Sequence, residues 1–341
     1  MRITPERDER SEWNDTYSLR FRPTSRKERK SARKLFDIET ELTKTKWNKS
    51  LSAALARRYQ HVIDLAGHEV ETALAQRRLA LDRSLLKSEE AATASSNFNV
   101  ADLQQAALRL QLREQEVQRL VRKTTELRNI TIADYLIVPE EGEPKVSPRL
   151  IQPEDIGVLV DILSAAPAST SFDHKQAKLE VGRARQEMAL AKSRTAFGLS
   201  LMELSYENKE VDSYNMTFGF RLPFARRTHT SQRRVRELMA AEQQAYLTEQ
   251  RFADTLHNAV REIRWQIDAY AANSTALQSV SGRLQSSSTD IAALVVLRRH
   301  QLELLETAAS THIRLLHDFV VLLDMIGGLQ EQPLKNWIRG K

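Results

Sequence analysis

The residues whose types and spacing come closest to a chemical site are His61, Asp64 and His68, which share one face of a helix. Imidazole and carboxylate groups bind zinc, but the ligand atoms must converge to about 2.0–2.2 Å from the ion. Seven residues of helix advance by about 10 Å along the axis, so these side chains diverge. We therefore interpret them as a polar helix face and His312 and His317 as incidental. We predict no metal site and no cofactor.

The sequence also lacks the motifs of common enzyme sites. It contains no Gly-rich phosphate loop and no Gly-x-Ser-x-Gly nucleophile elbow. It contains no Cys, which excludes disulfides and Cys-based zinc sites. We therefore predict that the chain is not an enzyme and that it has no catalytic residues.

Two basic stretches stand out, with six Lys or Arg in 24–34 and five in 226–236. Cations at a helix start oppose the helix dipole, so these stretches are unusual. A solvated helix start explains them most simply. Single-stranded nucleic acid would require aromatic stacking partners, and few lie nearby, so we predict no nucleic-acid partner.

Composition indicates long helices. The 341 residues include only 10 Gly and 9 Pro, about 3% each, where globular chains average about 7% and 5%. Between Ser25 and Ser96 there is no Pro and only one Gly, and apolar residues recur at spacings of three and four. About 70 helical residues would span roughly 105 Å, which a coiled coil or a helical tube wall accommodates. A return helix follows to about Arg128.

Two segments instead alternate with period two, as strands do. Tyr17, Leu19 and Phe21 alternate with polar residues, and residues 1–24 are predicted to form a hairpin connected through Glu12–Asp15. Residues 199–224 are predicted to form a second hairpin. Pro23 and Pro223 follow the two hairpins. We expect strand pairing to end at each of them, because proline has no N–H to donate to a neighbouring strand.

The two halves of the chain match at an offset near 200 residues. Phe21-Arg22-Pro23 corresponds to Phe220-Arg221-Leu222-Pro223, and a basic stretch and a long helix follow in each half. The second long helix is predicted from Arg226 to Arg298. The second return helix then follows a turn at Leu297–His300 and extends to Gly327-Gly328.

This order of elements resembles the outer-membrane efflux protein family, the TolC-like channels. The stretches that carry the resemblance are Thr217–Phe224, Gln301–Ala308, Leu322–Leu329 and the helix 174–199. The resemblance implies a mainly α fold, in which very long antiparallel helical hairpins form a coiled-coil tunnel wall and short β-hairpins contribute to a shared trimeric β-barrel. It divides the chain into 1–24 (first barrel hairpin), 25–128 (first helical hairpin), 129–171 (Pro-containing equatorial loop region), 172–198 (helix), 199–224 (second barrel hairpin), 225–328 (second helical hairpin) and 329–341 (C-terminal tail).

The resemblance also implies a function. The chain would be a passive exit duct in the bacterial outer membrane, serving a tripartite efflux or type I secretion system. Its partners would be two further copies in a homotrimer, outer-membrane lipid, a periplasmic adaptor protein and an inner-membrane pump. The basic stretches would lie at the junction of barrel and tunnel, near phosphates of the inner leaflet. A soluble coiled-coil scaffold is the alternative, although such a scaffold has no use for strands with an apolar face.

Family positions map onto particular residues. An acidic ring at the pore constriction would consist of Glu303 and Glu306, and a tip latch would use Asp102 and Arg299. Arg20, Arg22, Ser205, Thr217 and Arg221 would line water. The residues expected to face lipid in the barrel are Tyr17, Leu19, Phe21, Met202, Leu204, Tyr206, Phe218 and Phe220.

The chain departs from the family pattern at two places. It begins inside the first hairpin without a signal peptide or a preceding helix pair, so we expect it to be N-terminally incomplete. The Gly that the family usually has at the second tip is also missing.

Overall fold

The computed structural model describes residues 2–7, 13–21, 25–91, 100–135, 150–194, 198–207, 213–221, 227–286 and 291–339. The chain forms two compact units, which are described separately. Unit 1 consists of Met1–Trp47 and Phe172–Phe252, and unit 2 consists of Asn48–Ser171 and Ala253–Lys341.

Unit 1 contains an antiparallel four-stranded sheet with the order β1-β2-β3-β4. Its strands are β1 (Arg2–Arg7), β2 (Trp13–Phe21), β3 (Gly198–Glu207) and β4 (Ser213–Arg221). The prediction that Trp13 to Asp15 form a connection is wrong, because β1 reaches Arg7 and pairs it with Trp13. Pro5 is tolerated within β1 because that strand lies at the edge of the sheet.

The helices are long, as the scarcity of Gly and Pro predicts. They are α1 (Arg26–Ala91), α2 (Val100–Tyr135), α3 (Pro153–Leu163), α4 (Phe172–Arg194), α5 (Arg227–Ser286), α6 (Ile291–Met325) and α7 (Gly328–Glu331). Ser25 caps α1, because its Oγ accepts a hydrogen bond from the backbone N–H of Glu28 at 3.1 Å. No described helix combines the length and apolarity needed to cross a bilayer.

Two predicted helix ends are wrong. Helix α2 continues past Arg128 to Tyr135, because the first Pro after it is Pro139. The helix predicted from Arg226 to Arg298 is interrupted, since α5 ends at Ser286 and α6 begins at Ile291. The run Ser286–Asp290 consists of residue types that favour caps and turns over helix interiors. Leu297–His300, predicted to form the tip, therefore lies inside α6.

Unit 2 is held together by antiparallel helix contacts. Helix α1 contacts α2 through Thr72 and Thr124, whose hydroxyl oxygens are 2.9 Å apart. It contacts α6 through Ser52, whose hydroxyl donates to Asp324 at 2.5 Å. Helices α5 and α6 meet where Gln266 donates to Asp318 at 2.6 Å. Most of the fully buried side chains of this core come from α1, α5 and α6 and include Ile63, Ile263, Leu315, Leu316, Phe319, Leu322 and Leu323.

Besides the sheet, unit 1 contains packed helices, in which α4 contacts α1 and α5. Gly182 of α4 lies against Ile38 of α1, where an added Cβ would stand in ordinary van der Waals contact at 3.5 Å from Ile38 Cδ1. Helices α4 and α5 are joined by ion pairs from Arg185 to Glu242 at 2.7 Å and from Arg234 to Glu187.

The core of unit 2 yields a stability prediction. Phe319 is fully buried, so Phe319→Ala should lower the free energy of unfolding by about 3–5 kcal/mol. Val321 lies two residues away and is 50% exposed, so Val321→Ala should change it by less than about 0.5 kcal/mol. Chemical denaturation followed by circular dichroism measures both. Equal losses in the two variants would contradict this assignment of the core.

Candidate functional site

One face of the sheet is apolar and open. Residues directly opposite each other on neighbouring strands share a face. Leu204 lies opposite both Leu19 and Met216, and Met202 lies opposite both Phe21 and Phe218. The side chains of Phe21, Phe218 and Leu204 are 60%, 48% and 43% exposed. We call this surface the apolar sheet face.

All eight residues predicted to face lipid lie on the apolar sheet face. Tyr17 is paired with Tyr206, and the Tyr206 ring packs against Tyr214 with centroids 5.0 Å apart. Phe220 follows Phe218 by two positions, which returns it to the same side of β4. Contact of this face with lipid remains a prediction.

The opposite face of the sheet is polar. Arg20 lies opposite Glu203, and its Nη2 donates to Glu203 Oε2 at 3.0 Å while its Nε donates at 3.2 Å. Ser205 and Thr217 share this face, and the register places Arg221 there as well. Arg22, also predicted to line water, lies outside the described residues. An exposed ion pair contributes only about 0–1 kcal/mol, so Arg20 and Glu203 contribute more to strand register than to stability.

A second feature of interest is a charge cluster in unit 2, where α1 meets α2 and α6. Asp82 is only 14% exposed and lies between two guanidinium groups, at 3.7 Å from Arg113 Nε and 3.6 Å from Arg299 Nη2. One turn earlier, Arg78 forms an ion pair with Glu306 at 2.6 Å. Arg78, Asp82, Arg113 and Arg299 line an open cleft of about 540 Å³. We call them the Asp82 charge cluster.

The structure separates the residues predicted to form the ring and the latch. Asp102 lies in the exposed first turn of α2, as expected. Arg299 does not lie at a tip, because α6 begins eight residues before it, and it pairs with Asp82. Glu303 is exposed with His300 at 3.8 Å, whereas Glu306 is compensated by Arg78.

Sequence reasoning missed Asp82. The signal was available locally, because Asp82 follows the core residue Leu81 and therefore sits beside the buried stripe of α1. Its partners were not visible, since Arg113 and Arg299 approach from helices that are distant in sequence.

The His and Asp residues of α1 have separate partners. Asp64 accepts from His317 at 2.9 Å, and His68 contacts Glu71 at 2.9 Å. Within the described residues, no group of three or more His, Asp or Glu side chains is placed to hold a metal ion.

His312 is not incidental, in contrast to the sequence interpretation. Its Nε2–H donates to the backbone carbonyl of Ile151 at 2.8 Å, and its ring lies 5.7 Å from that of Tyr270. The Ile151 N–H donates in turn to the Ile338 carbonyl at 2.9 Å. His312 therefore anchors the segment that pairs with the end of the chain. Burial lowers the pKa of His312, although the Ile151 carbonyl and Glu154 oppose the shift.

Known structures share this arrangement of elements. CusC, whose structures concern transmembrane channel formation, matches with a TM-score of 0.65 and 12% identity over 95% of this chain and 81% of its own. The outer membrane protein VceC from Vibrio cholerae matches with a TM-score of 0.58 and 15% identity, over 96% of this chain and 84% of VceC. The CmeC outer membrane channel of Campylobacter jejuni matches with a TM-score of 0.61 and 10% identity, over 96% of this chain and 76% of CmeC.

The chain has the fold of the TolC-like outer-membrane efflux channels. The resemblance inferred from the sequence is thus confirmed for the fold, with its long antiparallel helices and small antiparallel sheet. No protein-family model matches the sequence, and a comparison with curated proteins also finds no match. The TolC-like fold is therefore recognised here from three-dimensional similarity at very low sequence identity.

The buried histidine of this TolC-like chain gives a pH prediction. Its pKa is lowered in the folded state from an ordinary value of 6.5, so at mildly acidic pH the unfolded chain binds more protons. The free energy of unfolding should fall as the pH drops below 6.5, until the lowered pKa is passed. His312→Gln should weaken this dependence, and His257→Gln, at an exposed position of α5, should not.

Denaturant unfolding at pH 7.5 and pH 5.0 tests this expectation. If His312→Gln and the unsubstituted protein lose the same free energy between the two pH values, His312 is not the group responsible.

Proposed function

We propose that the protein is a passive exit duct in the bacterial outer membrane. The observation that carries the proposal is the apolar sheet face in a chain with the TolC-like fold. Strands of membrane barrels alternate between lipid-facing apolar residues and lumen-facing polar residues. The alternation of Leu204 with Glu203 and of Phe218 with Thr217 follows that rule.

The sheet requires further copies of the chain to form a barrel. Within the described strands, β1 and β4 are the edges, and each leaves a row of backbone groups without a partner strand. A homotrimer would join β1 of one copy to β4 of the next and close a barrel of twelve strands. Outer-membrane lipid would then cover the apolar sheet face.

The helices would form the wall of a tunnel that ends in a constriction. Glu303 is exposed, so three copies of it would place carboxylates around a narrow pore and favour cations. Glu306 would contribute less to this ring, because Arg78 compensates its charge. The Asp82 charge cluster ties three helices of one copy together and would hold the constriction narrow, while Asp102 would be available at the first tip.

The duct would not act alone. A periplasmic adaptor protein and an inner-membrane pump would deliver cargo to it, in a tripartite efflux or a type I secretion system. A soluble coiled-coil scaffold would share the long helices, but it would leave the apolar sheet face exposed to water.

Conductance measures the proposed function directly. Reconstituted into planar bilayers, the protein should produce discrete, cation-selective current steps. Glu303→Gln should reduce the cation selectivity more than Glu306→Gln, because only the second carboxylate already has an arginine partner. Absence of channels would contradict the proposed function, and equal effects of the two variants would contradict the assignment of the ring.

The closing contact has its own test in the same measurement. Arg299→Ser and Asp82→Asn should each raise the single-channel conductance several-fold, because both remove the Asp82–Arg299 contact between α1 and α6. Arg298→Ser is the matched control, since Arg298 is the exposed neighbour of Arg299. If Arg298→Ser raises the conductance as much as Arg299→Ser, net charge and not the Asp82 contact governs opening.

A further inference from the structure

The first turns of α1 carry an unusual concentration of positive charge. We call these residues the basic collar, and it consists of Arg26, Lys27, Arg29, Lys30, Arg33 and Lys34. All six are exposed. Within the described residues, no ion pair joins these six side chains to an acidic group, although Glu28 lies in the same first turn and Asp37 follows four residues after Arg33.

Two arginines of the equivalent basic stretch of α5, Arg233 and Arg234, have carboxylate partners. Arg233 donates to Glu237 at 2.9 Å, and this hydrogen bond lowers the pKa of the Glu237 carboxyl. Arg234 binds both Glu237, at 2.8 Å, and Glu187 of α4. The second repeat therefore places carboxylates beside two of its basic side chains. In the first repeat, no described carboxylate forms an ion pair with the basic collar.

The uncompensated charges oppose helix formation. Cations near a helix N-terminus interact unfavourably with the helix dipole. Like charges at spacings of three and four, such as Arg29 with Arg33 and Lys30 with Lys34, repel each other. Local features that conflict with the fold commonly mark functional surfaces. An anion from outside the chain would remove both penalties.

The position of the collar indicates which anion. Strand β2 ends at Phe21 on the apolar sheet face, and Arg26 follows Phe21 by five positions. Five residues of chain reach at most about 18 Å, so the collar lies close to the end of that face. An apolar strand followed by a cationic stretch matches the order of hydrocarbon and phosphate in a bilayer.

We propose that the basic collar binds phosphate groups of anionic lipids in the leaflet next to the end of the apolar sheet face. The proposal rests on the proposed function, because it requires the sheet to be inserted in a membrane. Arg offers paired N–H donors to phosphate oxygens, and Lys supplies a compact charge. The collar would thereby fix the depth of the sheet and recruit anionic lipid around it.

Lipid enrichment tests the proposal. The full chain is reconstituted into phosphatidylcholine vesicles that contain trace spin-labelled phosphatidylglycerol or spin-labelled phosphatidylcholine, after channel currents have shown insertion. We expect phosphatidylglycerol to be enriched at the protein about five-fold or more, the effect of one Lys or Arg at an anionic surface. The enrichment should fall as salt is raised, because the contact is electrostatic.

Matched double variants locate the effect. Arg29→Gln with Arg33→Gln should reduce the enrichment at least about two-fold, whereas Arg233→Gln with Arg234→Gln should leave it unchanged. Arg29→Lys with Arg33→Lys should retain it, which separates charge from folding. Currents from every variant confirm insertion.

Several results would overturn the proposal. Insertion with equal association of the two labelled lipids would contradict the collar and leave the channel intact, whereas failure to insert would contradict the proposed function itself. Equal losses in the α1 and α5 variants would indicate unspecific attraction. Inorganic phosphate that displaces the label more than sodium chloride of equal ionic strength would indicate a site for free phosphate instead of lipid.

Discussion

The structure depends on one constraint, which is that the apolar sheet face must be covered. A sheet with an exposed row of Leu, Phe, Met and Tyr side chains and two open edges would aggregate in water. Among the described residues of unit 1, no helix or loop buries Leu19, Phe21, Phe218 and Phe220. Covering that face by lipid and the edges by further copies satisfies both requirements at once.

The internal repeat is the means by which the chain builds this surface. Each repeat supplies one hairpin, and pairing of β2 with β3 joins the two hairpins into one sheet. The ion pair between Arg20 and Glu203 crosses this junction on the polar side, while Leu19 and Leu204 meet on the apolar side. A slip by one residue would place the charged pair among the apolar side chains, so the two contacts together determine the register.

Sequence analysis succeeded where the deciding physics is local. Alternation with period two and helical spacing are properties of neighbouring residues, so the strands and the long helices could be predicted. The end of α5 at Ser286 was missed because the apolar spacing continues through Leu297 of α6. The offset near 200 residues does not hold for the return helices, since α6 begins 191 residues after α2 begins.

Contacts between segments that are distant in sequence could not be predicted from the sequence. Arg299 was assigned to a tip, yet its position in α6 brings it to Asp82, 217 residues earlier in the chain. His312 was taken as incidental because nothing near it in sequence shows that Ile151 lies within 2.8 Å. Such pairings follow from helix register, which the periodic pattern of one helix does not specify.

Side-chain accessibility in the membrane tests the central claim most directly. The chain has no Cys, so Leu204→Cys and Glu203→Cys provide single spin-label sites on opposite faces of β3 without further changes. In lipid vesicles, the account predicts that oxygen, which partitions into lipid, relaxes the label at 204 more strongly than a water-soluble nickel chelate does, with the reverse order at 203. Equal access of the nickel chelate to both positions would contradict the claim that lipid covers the apolar sheet face.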